Sequence, residues 1–581
     1  MTEKIIETKA CKHCWTAFDI TDKDMEFYNK ISPSFPLSEG EGWGVRKYSI
    51  PTPILCPDCR QQRRLSWRNE RKLYRRTCDA SGKQIICLYS PDKDVKVYHY
   101  NERWNDKLDF TSYGKDFDLN KSFFKQFEEL LHQVPRISTF NKMTENTEYG
   151  NNLIWDKDCY MLFITFSNEN CYYGYTVSSC KNCVDMLWSV ENQNCYEWVN
   201  VQNCYECFYC VETKNSVNGY YLHDCIRVKN SAFCIWLRDK QYCFLNKVYD
   251  KAQFEEIQHR LFADTDFLQK TKKDFEQLKL KTPVRASFVE QSENCSWDYI
   301  HNSKNCHASF NVMLGEDCKY CYDCFGALAS MDVYLWGNES PETPSQLVYE
   351  CENSFNIFNV GFSSTVTYAS NDVWYSDNCD SCVHCFGCIW LHHKEYCILN
   401  KQYTKEEYEK FIPQIIEKMK IVWERGEFFP TSISLFGYNE TEANSYYPLS
   451  KEEIIAKWWN RYDESHKTKI SDWIRQVYAK DLPVDITDVD DSILDKIVIC
   501  EITWKPFRII KQELEFYRKY SIPLPKRCPD QRHIERMQLR HARKIRDRTC
   551  AKCWKNIKTT YSPERPEIVY CEVCYNKEIY W

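Results

Sequence analysis

From residue 159 onward the apolar positions follow neither the 3.6-residue spacing of a helix nor the alternation of a half-exposed strand. Cysteines stand at 159, 171, 183, 195 and 207, twelve apart, and sampling every sixth residue extends the column. It reads Cys159, Thr165, Cys171, Val177, Cys183, Ser189, Cys195, Val201, Cys207, Thr213, Gly219, Cys225, Ser231, Leu237 and Cys243, and fourteen of these fifteen are small or β-branched. The residue before is often Asn or Asp: Asp158, Asn170, Asn182, Asn194, Asp224, Asn230. A helix cannot hold an inward column at that spacing. Stacked short parallel strands can, because each turn of a solenoid sets equivalent side chains above one another. A free cysteine behaves as a small hydrophobe that fits a narrow interior where leucine would overpack. The asparagine before it can build a hydrogen-bonded ladder along the stack. The pattern predicts a β-helix with six-residue faces and leaves the length of a coil open.

A second block carries the same spacing, with Cys306, Val312, Cys318, Cys324 and Ser330, then Cys379, Cys385, Leu391 and Cys397. Cys295 to Cys306 slips by one residue, and residues 337–350 ("GNESPETPSQLVYE") read as an inserted loop. The blocks end alike, "FCIWLRDKQYCFLNKVYDKAQFEE" (233–256) matching "GCIWLHHKEYCILNKQYTKEEYEK" (387–410) at an offset of 154. Each ending leads into a helix with a capping box, Asp250 with Gln253 and Thr404 with Glu407. Such a helix would cover the open edge of the last coil. Shorter amphipathic helices are predicted over 122–134, ending before Pro135, and from Ser450 onward.

The two ends of the chain are copies of each other. "CKHCWTAFDITDKDMEFYNK" (11–30) aligns with 500–519 at an offset of 489, and "RKYSIPTPILCPDCRQQRR" (46–64) with 518–536 at an offset of 472. The 17-residue difference is an insertion in the first copy, rich in Pro, Ser and Gly, and reads as a loop. Each module therefore descends from one with two candidate four-ligand sites. Cys11, Cys14, Cys56 and Cys59 form a complete set whose later counterparts are Cys500, Thr503, Cys528 and Gln531. Cys550, Cys553, Cys571 and Cys574 form the other, and its earlier counterparts are Cys78, Ser81, His99 and Glu102. Paired C-x-x-C knuckles suit tetrahedral Zn²⁺, and four thiolates leave no open coordination position, which points to structure rather than catalysis. The expectation is two zinc ions per chain.

Charge adds a second feature. The net charge of −6 hides basic ends: residues 44–83 hold 11 Lys/Arg against 3 Asp/Glu, and residues 500–581 hold 19 against 10. Arg60, Arg63, Arg64, Arg68 and Arg71, and in the second copy Arg532, Arg536, Arg540, Arg543 and Lys544, are expected on helices with one broad basic face. A metal-braced basic helix can neutralise phosphates by backbone contacts. The competing reading docks these helices on the chain's own acidic middle. The 34 cysteines in a chain of 581 residues, with no apolar N-terminal segment and no membrane-length apolar run, fit a cytoplasmic protein with reduced thiols.

The C-P-D-C-R-x-x-R-R, Y-S-P-D and "YCxxNKxY" motifs, the N-C repeats and "CPDQRHxERMxLR" together resemble an uncharacterised cysteine-rich bacterial family. The likeness runs over nearly the whole chain and implies terminal zinc-ribbon modules of the C-P-D-C-R type. Members sometimes carry a coenzyme-A transferase label (CaiB/BaiF), which no motif in this chain supports.

The fold class expected is mainly β with helical caps: a Cys/Asn-stacked parallel β-solenoid in two blocks flanked by duplicated zinc-ribbon-like modules. The segments are an N-terminal module (1–105), a helical linker (106–148), the first block (149–248), a cap and linker (249–288), the second block (289–400), a cap and helical linker (401–498) and a C-terminal module (499–581). No G-x-S-x-G, P-loop, G-x-G-x-x-G or carboxylate pair is present, so the chain reads as non-enzymatic. The leading function is a zinc-binding scaffold whose basic ends meet RNA, ribosome or DNA. One alternative is a protein-interaction platform on the solenoid surface. Another is an iron–sulfur or redox protein using Cys379, Cys382, Cys385 and Cys388, or Cys204, Cys207 and Cys210, with His384, His392 and His393 nearby.

Overall fold

The computed structural model describes residues 3–36, 44–104, 108–147, 149–334, 344–463 and 474–580. Among them are eleven α-helices: α1 (Asp22–Ile31), α2 (Pro57–Leu65), α3 (Phe123–Gln133), α4 (Lys251–Ala263), α5 (Thr265–Lys281), α6 (Lys405–Ile421), α7 (Glu442–Tyr446), α8 (Lys451–Ala456), α9 (Lys511–Lys519), α10 (Pro529–Leu539) and α11 (Glu572–Tyr580). The chain divides into two units, residues 1–138 with 287–463, and 139–286 with 464–581. Each unit joins one repeat block to one terminal module.

In the second unit, nearly every third residue from Met143 to Leu245 has a left-handed backbone, with φ between 45° and 71°. This conformation costs an L-residue roughly 1–2 kcal/mol and is easiest for Asn and Asp, which is why those two types precede the cysteines. Each left-handed residue turns the chain, and the next side chain points inward. The inward column therefore has a period of three, not six. Cys159, Leu162, Cys171, Val177, Cys180, Cys183, Met186, Cys195 and Trp198 all lie in one buried core. The expected six-residue faces are two such sides each, because sampling by six picks up every second inward position.

Four such triplets make one twelve-residue repeat. Consecutive repeats pair in parallel at that offset: Thr165 with Val177, Val177 with Ser189, Cys171 with Cys183, Gly219 with Ser231. The order is sequential in one twelve-stranded sheet. The asparagines form the expected ladder, Asn170 Nδ2 donating to Asn182 Oδ1 at 3.3 Å and Asn182 to Asn194 at 3.1 Å. The interior is narrow: a Cβ on Gly219 would lie 3.1 Å from Cys207 Sγ. After the hairpin of Cys243–Phe244 with Lys247–Val248, the capping box of Asp250 and Gln253 starts α4. Phe254, Leu261 and, from α5, Phe275 then bury against Phe233, Ile235 and Phe244.

The first unit uses the same repeat with irregularities. Val289 pairs with Ile300 at an offset of eleven, where the one-residue slip occurs, and Ile357 with Ser370 at thirteen. Met331 pairs with Tyr349 eighteen residues on. Of the predicted 337–350 loop, residues 345–350 are strand (Ser345–Glu352), and 337–343 lie outside the described residues. The 17-residue insertion also begins and ends in order, since Ser34–Pro36 pairs with Val45–Lys47; residues 37–43 lie outside the described set.

Candidate metal centres and arginine clasps

Both complete cysteine sets converge. Within each of Cys11, Cys14, Cys56, Cys59 and Cys550, Cys553, Cys571, Cys574, the four sulfurs lie within 4.8 Å of one another. Cys14 Sγ is 3.6 Å from Cys56 Sγ, and Cys553 Sγ 3.7 Å from Cys571 Sγ. Four thiolates at about 2.3 Å from one tetrahedral ion would stand about 3.8 Å apart. Local sequence creates this geometry. The first pair occupies the tight turn of the hairpin between Ile5–Ala10 and Ala17–Thr21. The second begins α2, Cys56 as N-cap with Pro57 behind it, so both thiols sit at the positive end of a helix. The C-terminal site repeats the plan with the hairpin Arg546–Thr549/Asn556–Thr559 and the start of α11.

Backbone donors tune the sulfurs. His13 N–H donates to Cys11 Sγ at 3.4 Å and Cys571 N–H to Cys550 Sγ at 3.2 Å. Hydrogen bonding from Cys59 draws the Cys56 thiol down to about 5. Burial opposes ionisation of Cys550, yet N–H groups of Cys571, Cys553 and Lys552 bring it to about 6. Cys574 is pushed up to about 12, by burial first and then by its three neighbouring thiols. A shared cation would draw all four into thiolate form.

The degenerate copies keep the turn and engage the remaining sulfurs in hydrogen bonds. Thr503 Oγ1 lies 3.4 Å from Cys528 Sγ, while Gln531 turns away to donate to Glu535 at 2.8 Å. At the other site His99 N–H donates to Cys78 Sγ at 3.3 Å.

The arginines do not form exposed basic faces, which corrects the sequence expectation. The helices stop at Leu65 and Leu539, so Arg68, Arg71, Arg540, Arg543 and Lys544 lie beyond them. Arg60 and Arg64 are each 1% exposed. Arg60 Nη2 meets Asp332 at 2.7 Å, Arg64 Nη1 meets Glu350 at 2.8 Å, and Arg63 bridges Glu350 (3.1 Å) and Glu427 (2.5 Å). Arg68 pairs with Glu70 and Glu352 and lies 4.2 Å from the centre of the Tyr334 ring. In the second unit the equivalent Arg532 and Arg536 both clasp Asp185, Arg536 at 3.0 Å, and Arg540 lies over Trp188. Arg71 and Arg543 are half-buried with partners of their own, leaving Lys544 exposed. The module sits on the block because a buried carboxylate at a left-handed corner (Asp332, Asp185) receives two arginines four residues apart on one helix face. The acidic partners had no spacing signal in the sequence beyond the acidity of the middle.

The other cysteine runs behave as packing residues. Cys379, Cys382, Cys385 and Cys388 are buried, and each thiol donates to the carbonyl two residues back, as the first block's cysteines do. His384 meets Asp372 at 3.1 Å and stacks on Tyr396; His392 meets Asp380 at 3.3 Å. Among the described residues, the two tetrathiolate sets are the groups spaced to hold a metal. No described helix is long and apolar enough to cross a membrane.

The fold and sites define a strand-rich repeat protein with one tetracysteine module on each unit. No protein-family model matches the chain, and no curated protein matches it. A solved structure named "putative acetyltransferase" from Desulfovibrio desulfuricans is similar at 9% identity, over 49% of this chain and 82% of its own. Its TM-score is 0.10, which carries no argument about fold or activity.

Proposed function

We propose that the protein is a non-enzymatic scaffold: two β-solenoid stacks of twelve-residue coils, each locked to a zinc-braced module, offering surface to a protein partner. The observation that carries this reading is the arginine clasp. Side chains that could have met phosphate are spent neutralising the repeat's own buried carboxylates, so the modules act as clamps on the stack. Zinc is favoured by the sulfur spacing and by the all-thiolate set, which has no open position for a substrate. A polynuclear iron–sulfur cluster binds its thiolates through different irons and needs them further apart. The zinc-ribbon likeness of the modules and the cysteine-rich bacterial family fit the same picture. The test is metal analysis of anaerobically purified protein. Two zinc ions per chain in colourless protein support the reading; iron with absorbance near 400 nm would overturn it.

A further inference from the structure

Two helices of the first unit end in the same unusual way. After α6, Trp423 N–H donates to Lys420 O (3.2 Å) and Glu424 N–H to Met419 O (2.9 Å); after α8, Trp458 N–H donates to Ile455 O (3.0 Å) and Trp459 N–H to Ile454 O (3.3 Å). This is the Schellman pattern, whose left-handed position usually carries glycine. Here it carries tryptophan, with φ of 62° at Trp423 and 58° at Trp458. These side chains are 84% and 88% exposed. The chain puts an exposed indole on a left-handed residue at both helix ends, as it also does after the knuckle turns at Trp15, Trp504 and Trp554.

Both helix ends stand beside the first tetracysteine knuckle. A cavity of about 340 Å³ is walled by Trp423, Trp459, His13, Phe124 and Phe428, with Cys59 of the metal set among its lining residues. His13 and Trp459 have ring centres 5.6 Å apart. Lys12 Nζ lies 5.8 Å from the centre of the Trp423 ring, and Lys457 donates to His13 Nε2 at 2.8 Å. The two lining carboxylates are already engaged. Glu427 pairs with Arg63, and Glu424 accepts the N–H groups of Phe123 and Phe124 at the start of α3. Flat aromatic walls with two lysines at the edge complement a planar ring linked to an anionic group.

We propose that this aromatic cleft binds a nucleotide, its base stacked against Trp423 and Trp459 and its phosphate on Lys12 and Lys457. The proposal goes beyond the scaffold reading and does not depend on which metal the knuckle holds. Base–indole stacking is worth roughly 1–3 kcal/mol, so losing one wall weakens binding by roughly 5- to 150-fold.

The test measures binding of fluorescein-labelled dT10 to the full chain by polarisation, with AMP and UMP as competitors. Trp423→Gly is expected to weaken binding at least fivefold while leaving metal content and melting temperature unchanged or raised, because glycine suits the left-handed position. Lys12→Glu with Lys457→Glu should weaken it further and flatten its salt dependence. Competition by mononucleotides at concentrations similar to the oligonucleotide supports a free nucleotide as the ligand; binding of dT10 alone supports a base within a single strand. No binding of either, equal binding by Trp423→Gly, or equal binding of an acidic Glu/Tyr peptide would overturn the proposal.

Discussion

Asp185 is the point on which docking of the C-terminal module turns. It is fully buried in the strand Lys181–Val190 and faces two guanidinium groups from α10. Asp185→Asn keeps the shape and removes the charge, taking away the one carboxylate that pairs directly with both Arg532 and Arg536. Removing one partner of a buried pair costs about 3–5 kcal/mol. Since each 1.4 kcal/mol is tenfold, opening of the module from its block should become about 10²- to 10⁴-fold more frequent. Hydrogen exchange of amides in 511–540 reads that opening directly. An exposed comparison is Asp239→Asn, which breaks a surface pair with Arg227 and should leave exchange in 511–540 unchanged. Replacing all three charges together, Asp185→Leu with Arg532→Met and Arg536→Leu, should recover most of the protection, because the desolvation cost goes with the charges. If Asp185→Asn changes protection by less than tenfold, the clasp does not hold the module and the case against an exposed basic face fails with it.

Glu513 and Glu352 are pushed up to about 7 by burial, against the pull of Arg532 and Arg68 respectively. Unfolded glutamate titrates near 4.3, so the folded state binds extra protons between these values. Stability should therefore fall as pH rises from about 4.5 to 7, by roughly 3 kcal/mol per group, and Glu513→Gln should flatten that slope in urea titrations at several pH values. Thr503→Cys with Gln531→Cys rebuilds a full tetrathiolate beside Cys500 and Cys528, and metal analysis should then give three ions per chain in place of two. In thiol titration, chelation of native protein should expose eight reactive cysteines, and the repeat-block thiols, apart from the partly exposed Cys295, should react only in denaturant. Their burial explains this, Cys195 and Cys225 being pushed up to about 12 and kept as thiols.

The tetracysteine sets, the capping boxes at Asp250 and Thr404, and the asparagine ladder were legible because each depends on residues a fixed step apart. A C-x-x-C knuckle, a capping box and a stacked column are all local or periodic. The triplet period was partly hidden: the intervening inward positions mix Leu162, Asn168, Met186, Trp198 and Leu222 with Cys180, Cys204, Cys210 and Cys234, so they form no column of small residues. The exposed tryptophans also carry a signal in the sequence, an indole where each helix should stop on glycine ("IVWERG", "AKWWN").

What the chain determined alone is the chemistry available: which thiols can meet a metal, and which positions must turn left-handed. Tertiary structure alone decided what the arginines face. A run of cations has the same pattern whether it meets phosphate or a buried carboxylate, and Asp332 is 272 residues from Arg60. Burial separates the two outcomes, since a desolvated guanidinium is tolerable only beside its own counter-charge, and that pairing exists only once module and block have met.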